Sequence, residues 1–169
     1  ILRCWFELIM ANQEDLAVLM TSEQGKPLAE AKGEIAYGAS FIEWFGEEAK
    51  RIYGETIPGH MADKRITVLR QPIGVVASIT PWNFPLAIFT GQITAALAAG
   101  DAVLAKPAEQ TPLVAAEAVR LFHKAGLNPD LLALLPGRGE TVGAALVSHP
   151  LIDGVAFTGG TDTATAINR

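Results

Sequence analysis

Thr80-Pro81-Trp82-Asn83-Phe84-Pro85 closes one short apolar run, and Asp101-Ala102-Val103-Leu104-Ala105-Lys106-Pro107-Ala108-Glu109 contains the next. Between them, residues 86–99 are apolar and long enough for a helix. The stretch reads as strand, turn, helix, strand, turn. In an open parallel sheet, turns that follow strands lie on one edge, where ligands bind.

The same rhythm continues on both sides of this stretch. Strands are predicted at 74–79, 102–105, 131–135 and 154–157, with helices at 86–99, 112–124, 141–147 and from 161 onward. The strands are continuous apolar runs rather than alternating ones, which suits a sheet covered by helices on both faces. Short connections give right-handed parallel units, so the fold class is α/β with a doubly wound parallel sheet.

Upstream, residues 1–53 read as helices. Ile1, Leu2, Trp5, Phe6, Leu8 and Ile9 recur at helical spacing, and Asn12 is placed as an N-cap with Asp15 in the following first turn. Gly25-Lys26-Pro27 separates the second helix from a third, which runs from 28 to 53, with Ile35, Ala36, Phe41, Ile42, Trp44 and Phe45 as its apolar stripe. Residues 54–71 read as two extended segments around the polar tip at 60–64. A ribbon of this kind needs covering, which points to subunit contact and a homo-oligomer.

The chain has 169 residues, half of them apolar, and a formal net charge of −5 with no block of like charge. That balance speaks against nucleic acid or an anionic membrane as partner. The longest apolar run carries Thr90, Gln92 and Thr94 and is too short and polar to span a bilayer. The single cysteine, Cys4, forms no internal disulfide, so a reducing compartment, the cytoplasm, is expected. No spacing of His, Cys and carboxylates suits a metal. His123 lies late in a helix, where a cation favours the C-terminus. Both ends look cut: Ile1 already lies within a helical pattern, and the last helix has no stop signal.

The four strand-end turns carry the chemistry. Gly159-Gly160-Thr161 precedes a helix, where free amides and a hydroxyl at its positive end favour a phosphate. Gly137-x-Gly139-x-x-x-Gly143 opens another helix but has one residue too many for the dinucleotide fingerprint. Lys106 and Glu109 can bind a vicinal diol, or form a surface ion pair. Glu109 would repel a 2′-phosphate, which favours NAD over NADP. Asn83 offers a neutral amide to a developing oxyanion, or serves as a turn or N-cap residue.

With these motifs in this order, the sequence resembles the aldehyde dehydrogenase superfamily along essentially its whole length. The carriers are Pro81-Trp82-Asn83-Phe84-Pro85, Lys106-Pro107-Ala108-Glu109, Leu135-Pro136-Gly137-Arg138-Gly139 and Phe157-Thr158-Gly159-Gly160-Thr161. The resemblance implies a Rossmann-like cofactor domain and oxidation of an aldehyde to an acid through a cysteine thiohemiacetal. It implies Asn83 as oxyanion donor and Lys106 and Glu109 at the adenosine ribose. Ile79, Thr80, Pro81 and Trp82 would line the groove together with Pro107 and Ala108, and Gly139, Gly143, Phe157, Thr158, Gly159 and Gly160 would follow the adenine and pyrophosphate.

Two positions depart from the family pattern: Gly160 stands where Ser is usual, and Ala164 where Gly is usual. The family's general-base Glu and nucleophilic Cys fall beyond Arg169. This stretch is therefore expected to build much of a cofactor site without completing the acyl chemistry and to be inactive alone. The implied division is 1–53 as the helical part of the cofactor domain, 54–71 as an oligomerisation ribbon, and 72–169 as an incomplete NAD-binding sheet without the catalytic domain.

Residues 1–85 resemble succinate-semialdehyde dehydrogenase. From about residue 86 the chain resembles the glutamate-semialdehyde (pyrroline-5-carboxylate) dehydrogenase module of proline-utilisation enzymes. A carboxylated semialdehyde is thus the expected substrate class, the alternative being a non-catalytic nucleotide-binding module.

Overall fold

A computed structural model describes residues 1–168. Three helices come first: α1 (Leu2–Ala11), α2 (Gln13–Gln24) and α3 (Leu28–Glu48). The strands β1 (Glu55–Pro58) and β2 (Arg65–Val68) form the expected antiparallel ribbon, with Glu55 opposite Val68 and Pro58 opposite Arg65. Then β3 (Val75–Ile79), α4 (Ala87–Ala99), β4 (Ala102–Lys106), α5 (Pro112–Lys124), β5 (Leu132–Leu134), α6 (Ala144–Ser148), β6 (Gly154–Phe157) and α7 (Thr161–Ile167) alternate as the sequence predicts.

The four later strands form one parallel sheet in the order β5-β4-β3-β6. From β3 the chain steps outward to β4 and β5, then crosses back to place β6 on the other side of β3. Right-handed crossovers put α4 and α5 on one face and α6 on the other. The N-terminal helices add a further layer outside α4 and α5, with α3 packed on α4, and α1 and α2 on α5.

That outer layer completes the main core. Trp5 is fully buried, stacks on Phe122 with ring centroids 3.7 Å apart, and donates its indole N–H to the Ala118 carbonyl at 2.9 Å. Ile9, Leu16, Met20, Ile35 and Ile42 join Phe89, Ile93, Leu121 and Leu132 in one cluster. At about 1.5–3 kcal/mol for each large side chain removed from water, this cluster binds the helical layer firmly to the sheet.

Turn chemistry sets the start of β3. Asp101 accepts from the Ile73 and Gly74 amides at 2.7 and 3.0 Å, and Asp153 accepts from Val75 at 2.8 Å. Gly74 has φ 125°, and a Cβ there would collide with the Asp153 carboxylate, so the position requires glycine.

Several expectations need correction. Helix α3 ends at Glu48, tightens into a 3-10 turn at Ala49–Arg51 and does not reach residue 53. Trp44 is 62% exposed rather than part of the stripe. The buried positions 31, 35, 39 and 42 define the inward face, and two residues beyond Ile42 the helix has turned about 200° away. Phe41 and Phe45 are only half-buried. Asn12 occupies the N-cap position of α2, yet its side chain donates backward to the Leu8 carbonyl at 2.7 Å. His123 contacts the Leu132 carbonyl on β5 at 3.2 Å instead of the end of its own helix.

Among the described residues, no helix is long and apolar enough to cross a membrane, and no cluster of His, Cys, Asp and Glu is placed to hold a metal.

Candidate cofactor site

Strand register gathers the four turns. Ile79 lies opposite Lys106 on one side and Phe157 on the other, and Ala105 lies opposite Leu134, so all four strands end on the same edge. The chain reverses its direction of travel between β3 and β6. A crevice opens at such a switch point, outside the carboxyl ends of the strands. Ile79, Thr80 and Pro81 stand on one side of it, with Phe157, Thr158, Gly159 and Gly160 on the other.

Beside this edge a cleft of about 440 Å³ lies between α6 and α7. Ile79, Lys106, Gly139 and Gly143 line it together with Ala144 and Ile167. Four of the residues singled out from sequence thus meet in one mostly apolar cleft, a setting that fits a flat heterocycle. Helix α6 begins with a π-helical turn at Gly139–Gly143, in place of the regular helix expected from residue 141. The amides of Thr141, Val142 and Gly143 all donate to the Arg138 carbonyl. They are already engaged, so this turn supplies a wall rather than amide donors. Gly143 is buried, and a Cβ there would touch the Lys106 stem at 3.6 Å.

Lys106 is held by the backbone. Its ammonium donates to the Pro107 and Gly137 carbonyls, both at 2.9 Å, and lies 3.9 Å from the Glu109 carboxylate. Burial pushes its pKa below the ordinary value, while Glu109 and Glu140 pull it back up. Of its three N–H groups one has no acceptor among these contacts, and it stands beside an exposed carboxylate. A donor and an acceptor side by side match a vicinal diol. The surface-pair alternative fails on one side only: Lys106 is buried and Glu109 is not.

Thr80 is 4% exposed, and its hydroxyl has no hydrogen-bond partner among the described residues, although its amide donates to the Lys106 carbonyl at 3.2 Å. The hydroxyl at the end of β3 is thus both buried and unpartnered beneath the strand edge. Pro107 and Ala108 are buried beneath the turn, and Trp82 is half-exposed above it.

At the β6–α7 turn, Gly160 is the N-cap of α7 with open space around its Cα, whereas a Cβ at Gly159 would strike the Phe157 ring. Thr158 is tied back to the sheet through Gln92, which donates to its hydroxyl at 2.8 Å and accepts from Ser78 at 2.8 Å.

Asn83 is exposed, and its side chain makes no hydrogen bond among the described residues. It does not cap α4: the Leu86 and Ala87 amides donate to Glu34 instead, at 3.0 and 3.2 Å. The Asn83 carbonyl accepts from Lys26 at 2.9 Å. Asn83, Trp82, Glu109 and residues 157–160 lie outside the α6–α7 cleft and ring the same strand edge.

Glu34, Lys26, Gln92 and Ser78 went unrecognised in the sequence. One signal was present: Glu34 is a carboxylate set among the apolar positions 31, 35, 38 and 42 of α3. Lys26 reaches Asn83 and Gln92 reaches Thr158 across 57 and 66 residues, and Ser78 meets Gln92 across 14, so no local pattern marks them.

Comparison with known proteins agrees with this geometry. The aldehyde dehydrogenase family model matches residues 1–169. The glutarate-semialdehyde dehydrogenase of Pseudomonas putida is 59% identical over 161 residues, 95% of this chain and 34% of that protein. The succinate-semialdehyde dehydrogenase [NADP(+)] of Escherichia coli is 57% identical over 162 residues, 96% of this chain and 34% of that protein. The crystal structure of an aldehyde dehydrogenase from Brucella melitensis biovar abortus 2308 superposes with a TM-score of 0.96 at 51% identity, over 99% of this chain and 35% of that one. The bifunctional proline utilization A protein gives 0.86 at 41%, over 98% of this chain and 18% of that one. The chain spans about a third of the length of the curated relatives it matches. With its strand order, its four edge turns and a family match along its full length, the chain belongs to the aldehyde dehydrogenase family.

Proposed function

We propose that the protein carrying this chain oxidises a short carboxylated semialdehyde to the acid with NAD, and that this chain supplies the cofactor-binding edge and the oxyanion donor. One observation carries the reading. On the ligand edge of the sheet, the backbone of Asn83 is held while its amide side chain is free to donate. The dinucleotide, when bound, supplies the hydride acceptor.

The remaining roles fall to residues of this chain. The cleft of Ile79, Gly139, Gly143 and Ala144 takes the adenine. Glu109 accepts from the ribose hydroxyls and the spare N–H of Lys106 donates to one of them. Thr80, Pro81, Trp82, Pro107 and Ala108 line the groove, and within the turn at 157–160 the amides of Gly159 and Gly160 face the pyrophosphate. The Glu109 carboxylate favours NAD over NADP, since a 2′-phosphate would be repelled by it. When a nucleophile attacks the aldehyde carbon, negative charge gathers on the carbonyl oxygen. A neutral amide donor such as Asn83 lowers that barrier without adding a charge that would hold the substrate equally well.

The substrate class rests on the semialdehyde relatives, whose names carry succinate and glutarate. The ribbon at 54–71 exposes Ile57, Ile66 and Leu69, a pattern suited to contact between subunits. The lone cysteine fits the cytoplasm. We read 1–53 and 72–169 as one cofactor domain, because α1–α3 share its core.

The test is the Asn83→Ala variant of the intact protein, assayed with succinate semialdehyde and NAD. Loss of one oxyanion donor is expected to lower kcat by about 10²–10³-fold. A near-normal kcat would remove Asn83 from the mechanism.

A further inference from the structure

We propose that Lys26 and Glu34 are positioning residues for Asn83: together they clamp the 83–87 turn so that the free amide is presented in one place. The inference rests on the oxyanion reading of Asn83 given above and extends it to two residues of the N-terminal helical layer, distant in the chain.

The clamp is made of two side chains. Glu34, on α3, is 4% exposed, and one of its oxygens accepts from the Leu86 and Ala87 amides at 3.0 and 3.2 Å. Its other oxygen pairs with the Lys26 ammonium. Lys26 follows the left-handed Gly25 that ends α2, and donates to the Asn83 carbonyl at 2.9 Å. The same ammonium lies 4.4 Å from the centroid of the Phe84 ring. Asn83, Phe84, Leu86 and Ala87 are therefore each held by one ion pair. Trp82 and Asn83 are exposed, and the Asn83 side chain has no partner among the described residues to fix it. What orients this amide is its backbone, and what fixes the backbone is the pair from the helical layer.

A buried ion pair can also serve folding alone. The two roles separate in a double-mutant cycle, because a residue that works through Asn83 loses its effect once Asn83 is gone. In the intact protein, Lys26→Met is expected to lower kcat by about 10- to 100-fold, the scale of a misplaced catalytic group. The KM for NAD should stay within about twofold, since the adenosine end is not touched. In the Asn83→Ala background, Lys26→Met should cost no further kcat. Glu34→Gln keeps an acceptor for the Leu86 and Ala87 amides but removes the ionic partner. It is run through the same cycle and also covers the case in which Lys26→Met does not fold.

A normal kcat in both single variants, or the same loss of kcat with and without Asn83, would overturn the positioning role. If Asn83→Ala alone leaves kcat normal, the oxyanion reading fails first and the positioning role falls with it. That outcome is distinct from a full Asn83 effect with no coupling to Lys26.

Discussion

Lys106 and Glu109 show how one turn acquires two opposite functions. Lys106 is committed to two backbone carbonyls and buried, so it braces the β4 and β5 turns while keeping one donor in hand. Glu109, three residues on, stays in solvent with no hydrogen bond among the described residues and is free to accept from a ligand. A charge-assisted hydrogen bond contributes about 1.5–3 kcal/mol, so Glu109→Ala should weaken NAD binding by about tenfold or more while affecting NADP less. Calorimetric titration of both dinucleotides decides this, and unchanged NAD affinity would detach Glu109 from the ribose. The pair was visible in the sequence because both members stand in one short motif. The brace was not, since the Gly137 carbonyl lies thirty-one residues away.

Elements were legible in kind and less so at their ends. Strand-turn-helix order follows from apolar runs and Pro/Gly punctuation, and every element of the sheet appears where those signals place it. The helix caps do not follow from such signals. Thr111 stands at the N-cap of α5, yet its hydroxyl has no partner among the described residues. The Leu113 and Val114 amides go instead to Glu23 of α2, at 2.7 and 2.9 Å. Glu34 does the same for α4. Two of the three crossover helices that open on this edge, α4 and α5, thus have their positive ends satisfied by carboxylates from the N-terminal layer. In the β6–α7 turn the Thr158 amide donates to the Ile79 carbonyl at 3.1 Å, which leaves Gly159 and Gly160 as the residues there whose amides can meet an anion. Glu23→Ala is expected to cost about 1 kcal/mol of stability, the usual worth of a lost cap, without changing NAD affinity. Urea unfolding measures the first and calorimetry the second. Full stability in the variant would mean that solvent replaces the cap without cost.

At the scale of the molecule, the helical layer and the sheet are built around one core. The layer shares that core through Trp5 and Phe122 and reaches the ligand edge through Lys26, Glu34 and Glu23. The sequence announced the sheet and its four turns, because both are written in local pattern. It did not announce that helices from the first fifty residues hold those turns, because that depends on packing across the chain. The central claim is that the cleft between α6 and α7, joined to the turns of β3 and β4, receives the adenosine half of the dinucleotide. Ala144 lines this cleft and is exposed, so Ala144→Phe fills the cleft without disturbing the core. The direct measurement is calorimetric titration of NAD into the intact protein and into this variant. Saturable binding to the first, weakened at least about tenfold in the second, is the predicted result. Equal binding to both would contradict it.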